Sequence, residues 1–338
     1  MQRRAGTGDI LSFTTTNAGT TTQVSTVTVT PSSLGCVGLS ESFTITVNPI
    51  PDVDPILDQT LCASSATTAV TFTGTVAGTT YDWTNDNTSI GLAGAGTGNI
   101  GSFTATNGGS TPQTATITVT PFGLGCAGIS ETFTITVNPL PMAMITGSTS
   151  ICEGDAAPSV TFTGSNGTAP YTFTYNINGG APQTVVSTGN IATVVVPSTP
   201  TGTFNYNLVS VEDASTTACS QSQAGTATVV VNPNPTPLIN GATEYCTGTN
   251  ATLSTTLAYT TYNWSTGVVT PTATVTDADN PITVTVTNAF GCSGTSSVFT
   301  VIENTVITYN STETICEGDV AVIHGNNETV AGVYSQTF

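Results

Sequence analysis

Apolar and polar positions alternate through long stretches of this chain. In "TATITVT" Ala115, Ile117 and Val119 fall on one side and threonines on the other; in "TFTITV" Phe133, Ile135 and Val137 repeat the arrangement. Further period-two runs, "AVTFTGTV", "TTYDWTN" and "IGSFTATN", are each broken by Gly, Asn or Pro. That is the signature of short, half-buried strands joined by turns. Each strand offers one apolar face to a facing sheet and a threonine face to water, so the pattern predicts an all-β chain of sandwiches.

The pattern itself recurs. Residues 6–51 overlie 96–141 without a gap, a shift of 90, at about two thirds identity. Thus "CVGLSESFTITVNPIP" at 36–51 returns as "CAGISETFTITVNPLP" at 126–141, and a more divergent exit, "TATVVVNPNP", closes at Pro235. A repeat of this length matches one immunoglobulin-like sandwich, which runs to about 100 residues. The expected organisation is a partial immunoglobulin-like module at 1–51, full modules at 52–141 and 142–235, a shorter one at 236–303 and the first half of another at 304–338. Both end segments read as cut inside a repeat. The alternating prolines of "NPIPD", "NPLPM" and "NPNPTP" favour stiff, extended linkers, so the expected object is a tandem array forming an extended rod.

Charge narrows the function classes. Only 7% of residues are charged, with 2 Lys plus Arg against 20 Asp plus Glu, for a formal net charge of -18. Phosphate contacts need Lys or Arg, so nucleic acid and anionic membrane are excluded as partners. No apolar run reaches the length of a membrane span, and the opening "MQRRAGTGDILSF" carries no signal-peptide core. A single histidine, His324, leaves no basis for a Ser-His-Asp or Cys-His constellation, and the chain reads as non-enzymatic with no cofactor.

Aromatics recur at "YDW", "YTF" and "YNW", where Tyr-x-Trp spacing puts both rings on one face of a strand. Trp83, Phe173 and Trp264 are read as core residues filling the sandwich centres, in preference to a carbohydrate-stacking platform. Acidic clusters at Asp52, Asp54 and Asp58 and at Asp277 and Asp279 are the candidates for calcium, which prefers hard oxygen ligands in loops. None has EF-hand spacing, and solvated acids that keep a weakly charged surface soluble are the simpler reading.

Eight cysteines form no C-x-x-C pair. An even set at repeating positions points to disulfides and an oxidising compartment. Two pairings compete. Bonds across linkers would join Cys36 to Cys62, Cys126 to Cys152, Cys219 to Cys246 and Cys292 to Cys316. Bonds within modules would join Cys62 to Cys126, Cys152 to Cys219 and Cys246 to Cys292, leaving Cys36 and Cys316 unpaired in the chain or in intermolecular bonds. An extended linker carries the sulfurs of the first scheme far beyond the Cα separation of about 7 Å that a disulfide tolerates, which favours the second.

From "YDWTNDNTSIGLAGAGTGNIGSFTATNGGSTPQTATITVTP" through "GCAGISETFTITVNPLP", the chain resembles the PKD-like, immunoglobulin-fold repeats of large Bacteroidota surface proteins, including adhesins and gliding-associated proteins. The resemblance implies cysteine-paired β-sandwiches, a bacterial cell-surface or secreted location and export by the type IX system. The C-terminal sorting domain of that system is absent from the sequence. The expected function is a structural or adhesive stalk segment that spaces a binding tip from the cell. Its partners would be other modules or copies of the same protein, with surface glycans or proteins engaged through a tip outside this chain. The alternatives are a subunit of a self-assembling extracellular filament, in which the terminal segments complete each other by strand donation, and a carbohydrate-binding accessory module.

Overall fold

The computed structural model describes residues 6–306 together with 314, 316, 318–323 and 326–328. The expected partial module at 304–338, and His324 within it, therefore lie largely outside the described residues. These are strand and turn apart from two single-turn 3-10 helices, Thr88–Ile90 and Asp277–Asp279. The chain divides into two compact units, Met1–Val231 and Asn232–Phe338.

The first unit opens with an antiparallel pair. Strand β1 (Gln23–Val29) lies against β4 (Glu41–Val47), with Val27 opposite Phe43. Between them β2 (Ser32–Ser33) and β3 (Cys36–Val37) pair around Leu34 and Gly35, whose φ angles are 48° and 84°. Two successive left-handed residues make the turn whose twist suits a two-residue hairpin. Among the described residues β4 has a partner on one side only.

The same design is then completed. A sheet runs in the order β5 (Gln59–Cys62), β10 (Glu131–Asn138), β8 (Gln113–Gly123), β6 (Thr80–Asn85) and β7 (Ala95–Thr97), and β9 (Cys126–Ala127) pairs with the end of β8. Strand β10 repeats β4, and β8 repeats β1. The addition is β5, parallel to β10, which sets Gln59 opposite Ile135 and Cys62 opposite Asn138. Alternation decides what is buried: Ala115, Ile117 and Val119 of β8 and Ile135 and Val137 of β10 are fully buried, with Phe133 at 2% exposure. Phe72, Ile90 and Ile100 cover them from an irregular second layer held by the Val70–Ile100 bridge. Gly96 lies over the Trp83 ring, where an added Cβ would sit 2.2 Å from the indole.

The following sandwich has two regular sheets. One contains β11 (Met142–Thr146), β13 (Ser159–Ser165) and β16 (Ile191–Val195); the other runs β12 (Thr149–Cys152), β18 (Ser220–Asn232), β17 (Gly202–Glu212), β14 (Thr172–Ile177) and β15 (Gln183–Val186). Phe162, Phe173 and Tyr175 meet at ring-centroid distances of 5.1–5.6 Å between the sheets.

The second unit has shorter strands. Strands β19 (Ile239–Gly241), β21 (Ala251–Thr255) and β23 (Thr272–Val275) form one sheet; β22 (Thr261–Trp264), β24 (Val284–Thr287) and β25 (Ser293–Thr295) form another. A parallel pair, β20 (Glu244–Cys246) with β26 (Ile302–Asn304), sets Cys246 opposite Asn304. Its core centres on Trp264, Leu253, Ile282 and Val284. Trp264 is 1% exposed and its Nε1 donates to Thr270 O at 3.0 Å.

Candidate functional site: the cysteine joints

A disulfide joins Cys62 to Cys219, with Cα atoms 5.6 Å apart and a sequence separation of 157. It links the sheet of β5 and β10 to the next sandwich. The sequence-based pairings of Cys62 with Cys126 and of Cys152 with Cys219 are thus corrected. The expected Cys246–Cys292 pair is not formed either: Cys246 is free, whereas Cys152 and Cys292 are each disulfide-bonded.

Strand length explains the correction. Cys62 sits beside Asn138 at the far end of β10, whereas Cys126 lies in the hairpin that precedes Glu131 at its near end. Eight extended residues at about 3.3 Å each keep those ends some 25 Å apart, well beyond disulfide reach. Within a sandwich the two cysteines mark opposite poles. The end of the first sandwich that carries Cys62 meets the end of the second that carries Cys219, so the bond crosses the joint between them.

The residues around the bond form a small polar cluster. Asn138 is 6% exposed and donates from Nδ2 to Thr217 Oγ1 at 2.9 Å. That hydroxyl lies 3.4 Å from Cys62 Sγ and 3.2 Å from Cys219 Sγ. Asp213, 4% exposed, shapes the cysteine loop: its Oδ1 accepts from Cys219 N at 2.9 Å and Ser215 Oγ at 2.7 Å, and its Oδ2 from Thr168 N at 3.0 Å. Four such contacts to one carboxylate, with Ser215 N as the fourth, offset the cost of burying it. Asn288 has the same place before Cys292, where its Oδ1 accepts from Phe290 N and Cys292 N, each at 3.0 Å.

The preceding joint carries the same parts without the bond. Asn48, the repeat equivalent of Asn138, donates from Nδ2 to Leu124 O at 2.7 Å in the hairpin that bears Cys126. Next to it Pro51 O lies where a Cβ on Gly128 would come within 1.9 Å, so only glycine admits this approach of the Pro-x-Pro exit. Gly294 and Pro235 repeat the contact in the second unit, at 1.8 Å. Cys126 is a half-exposed free thiol, and Cys36, Cys246 and Cys316 are exposed free thiols.

The calcium candidates are used separately. Asp52 Oδ1 accepts from Thr75 N at 2.7 Å and Thr75 Oγ1 at 2.9 Å, Asp54 Oδ2 from Thr73 Oγ1 at 2.6 Å, and Asp58 Oδ1 from Thr134 N at 2.6 Å. The three carboxylates pin the linker to three different places instead of converging on an ion. The bonds from Thr75 and Thr134, backbone first and hydroxyl second, hold the Asp52 and Asp58 carboxyls below the ordinary carboxylate value. Asp277 Oδ1 accepts from Tyr245 Oη at 2.9 Å, and Asp279 Oδ2 caps Thr276 N at 2.7 Å. Among the described residues no three His, Cys, Asp or Glu side chains group as a metal site. Trp83, Phe173 and Trp264 are all buried, and every described Tyr or Trp is buried or half-buried. Among the described residues the exposed aromatics are Phe13, Phe43, Phe122 and Phe290.

Among solved structures, the chain is similar to a three-immunoglobulin segment of titin, domains I67 to I69, at 12% identity and a TM-score of 0.45, over 75% of this chain and 98% of that one. Mouse cadherin-23 repeats EC22–24 align at 13% identity and a TM-score of 0.34, over 76% and 99% of the two chains. A Bacteroides ovatus glucan-utilisation protein, SGBP-B, solved with a mixed-linkage heptasaccharide, aligns at 16% identity and a TM-score of 0.20, over 80% and 76%. No curated protein matches the chain. The segment that bears Cys62, Cys126 and Asn138 does match a protein-family model: residues 59–141 are similar to the PKD-like domain.

Proposed function

We propose that this chain is a non-catalytic spacer segment of an extracellular or cell-surface protein, of the kind found in the Bacteroidota surface proteins its repeats resemble, holding an adhesive tip at a distance. The observation that carries this reading is the Cys62–Cys219 bond, which ties one sandwich covalently to its successor at a joint already lined by Asn138 and Thr217. A covalent tie between consecutive sandwiches resists separation under load, which a spacer needs and a self-contained binding module does not. Disulfides suit an oxidising compartment, and among the described residues no helix is long and apolar enough to cross a membrane. Burial or half-burial of every described tyrosine and tryptophan supports a spacer over a carbohydrate platform, since stacking on a sugar needs an exposed ring.

The test is small-angle scattering and electron microscopy of purified monomer, oxidised and reduced. The expected result is an elongated particle whose distribution of bend angles broadens on reduction. A compact particle, or one unchanged by reduction, overturns the spacer reading.

A further inference from the structure

Between the two sandwiches of the first unit, beside the Cys62–Cys219 bond, lies a cleft of about 420 Å³. Among the described residues that line it none is charged, and an Asn-Gly dipeptide stands on each wall: Asn107-Gly108 on the first sandwich and Asn166, followed by Gly167, on the second. Glycine after asparagine leaves the backbone nitrogen unshielded, so this dipeptide can close on its own side chain. The sequence has it also at 178–179 and 240–241. What separates these dipeptides is how each asparagine is held. Asn107 Nδ2 donates to Thr111 O at 2.9 Å and to Val137 O at 2.8 Å, and its Oδ1 accepts from Gly109 N at 2.9 Å. Asn178 Nδ2 donates to Thr203 O at 3.1 Å, and its Oδ1 accepts from Asn205 N at 2.8 Å. Asn240 is fixed in β19 opposite Ser254. Asn166 lies in the loop after β13 with φ at 56°, and among the described residues neither its side-chain amide nor Gly167 N has a hydrogen-bond partner.

We propose that Asn166-Gly167 is a deamidation site that loosens the covalent joint as the protein ages. Gly167 packs directly on the buried carboxylate that shapes the cysteine loop. A Cβ there would lie 2.8 Å from Asp213 Oδ2, the same oxygen that accepts from Thr168 N at 3.0 Å. Gly167 O in turn accepts from Tyr171 Oη at 2.9 Å. Deamidation places a second carboxylate one residue from this contact. Arg3 and Arg4 are the only Lys or Arg residues in the sequence, so no such partner stands nearby to offset it, and like charges at close range repel. The isoaspartate form does more, because it threads Cβ into the main chain of a loop pinned at Gly167 and Thr168. Asp213 holds Cys219 N and Ser215 Oγ through its other oxygen, so displacing it slackens the loop that carries the Cys62–Cys219 bond. The site stands whether or not the chain is a spacer.

The step needs only water and no oxidant. Gly167 N, its proton removed by hydroxide, attacks Asn166 Cγ. The Cγ–Nδ2 bond breaks, and the leaving nitrogen takes a proton from water to depart as ammonia, which regenerates the hydroxide. The product is a cyclic succinimide, and water then adds to either of its carbonyls to give aspartate or isoaspartate at 166. The reacting atoms belong to neighbouring residues, so no second molecule has to be oriented for the ring to close.

The oxidised full chain would be aged at mildly alkaline pH in heavy-oxygen water, which marks each opened ring, and mapped by mass spectrometry after chymotrypsin, because trypsin has no site beyond Arg4. Amide hydrogen exchange would be measured on fresh and aged protein. Deamidation at Asn166 is expected on the order of tenfold faster than at Asn107 or Asn178, whose amides must first release their hydrogen bonds. Aspartate and isoaspartate should both carry the label, and exchange across residues 215–219 should be several-fold faster in the aged chain. Asn166→Gln, whose longer side chain closes a ring far less readily, should age without that change. Fresh Asn166→Asp should show the part of it that charge alone supplies. Deamidation at Asn166 no faster than at Asn107 would overturn the proposal, as would the same rate order in urea, which would assign the difference to local sequence. Labelled product at 166 with unchanged exchange across 215–219 would equally overturn it. None of these results bears on the elongated shape by which the spacer reading is tested.

Discussion

Two joints in the first unit are built from the same repeat and closed differently. At the first, Asn48 reaches Leu124 and Pro51 rests on Gly128, with Cys126 left as a thiol. At the second, Asn138 reaches Thr217 and Cys62 is bonded to Cys219. The difference lies in the strand on the far side of the asparagine. Where β5 accompanies β10, a cysteine stands beside Asn138 and the bond forms; among the described residues β4 has no such companion, and the Asn48 bond and the Pro51–Gly128 contact hold the hairpin. The asparagine and the proline exit therefore position the joint, and the parallel edge strand makes it covalent.

Removing the bond should have the largest effect on this contrast. Oxidised Cys62→Ser/Cys219→Ser is expected to lose about 2–5 kcal/mol of stability in the sandwiches it joins, since closing a loop of this length is worth roughly 5 kcal/mol in chain-entropy terms. Thermal unfolding against oxidised wild type measures it; an unchanged midpoint would mean that packing alone holds the second joint. Next comes Gly128→Ala, whose methyl would meet the Pro51 carbonyl at 1.9 Å. A loss of about 1–3 kcal/mol is expected, with faster amide exchange confined to the first joint. Equal exchange at both joints would break the claim that Gly128 serves only one of them. Asn48→Ala should cost about 1 kcal/mol, and Asn138→Ala should cost less than that while the disulfide is intact but more after reduction.

The smallest effect is electrostatic. Thr134 holds the Asp58 carboxyl below its ordinary 3.8, so the stability that Asp58 supplies is complete above that pH and is lost as the pH falls through the depressed folded value. Asp58→Asn keeps an acceptor for Thr134 N, so neutral stability should hold while the acid limb of the stability profile becomes shallower. An unchanged acid limb would remove Asp58 from the linker's anchorage.

Much of the fold was legible in the alternation. Residues two apart in β8 and β10 share an environment because successive side chains of a strand point to opposite faces, and the same arithmetic works wherever threonine alternates with valine, isoleucine or phenylalanine. Phe43 marks where it stopped. Its pattern is that of Phe133, yet it stays half-exposed because burial needs a second layer that alternation in one strand cannot supply. The acids of "PDVDPILD" looked like a cluster in sequence, but an extended linker spaces them along its length and hands each to a different hydroxyl or amide.

The cysteines divide most clearly between the two levels of information. Their number and periodic spacing, the all-β class and the repeated Asn-Pro-x-Pro exit follow from local chemistry, which any one segment carries by itself. Which sulfur meets which is a matter of where strand ends lie in space. The eight residues of β10 put Cys62 and Cys126 at opposite poles, and the packing of one sandwich on the next brings Cys62 to Cys219 across 157 residues of chain. Disulfide partners are chosen by a distance of a few ångströms, and that distance exists only once the sandwiches have formed and stacked.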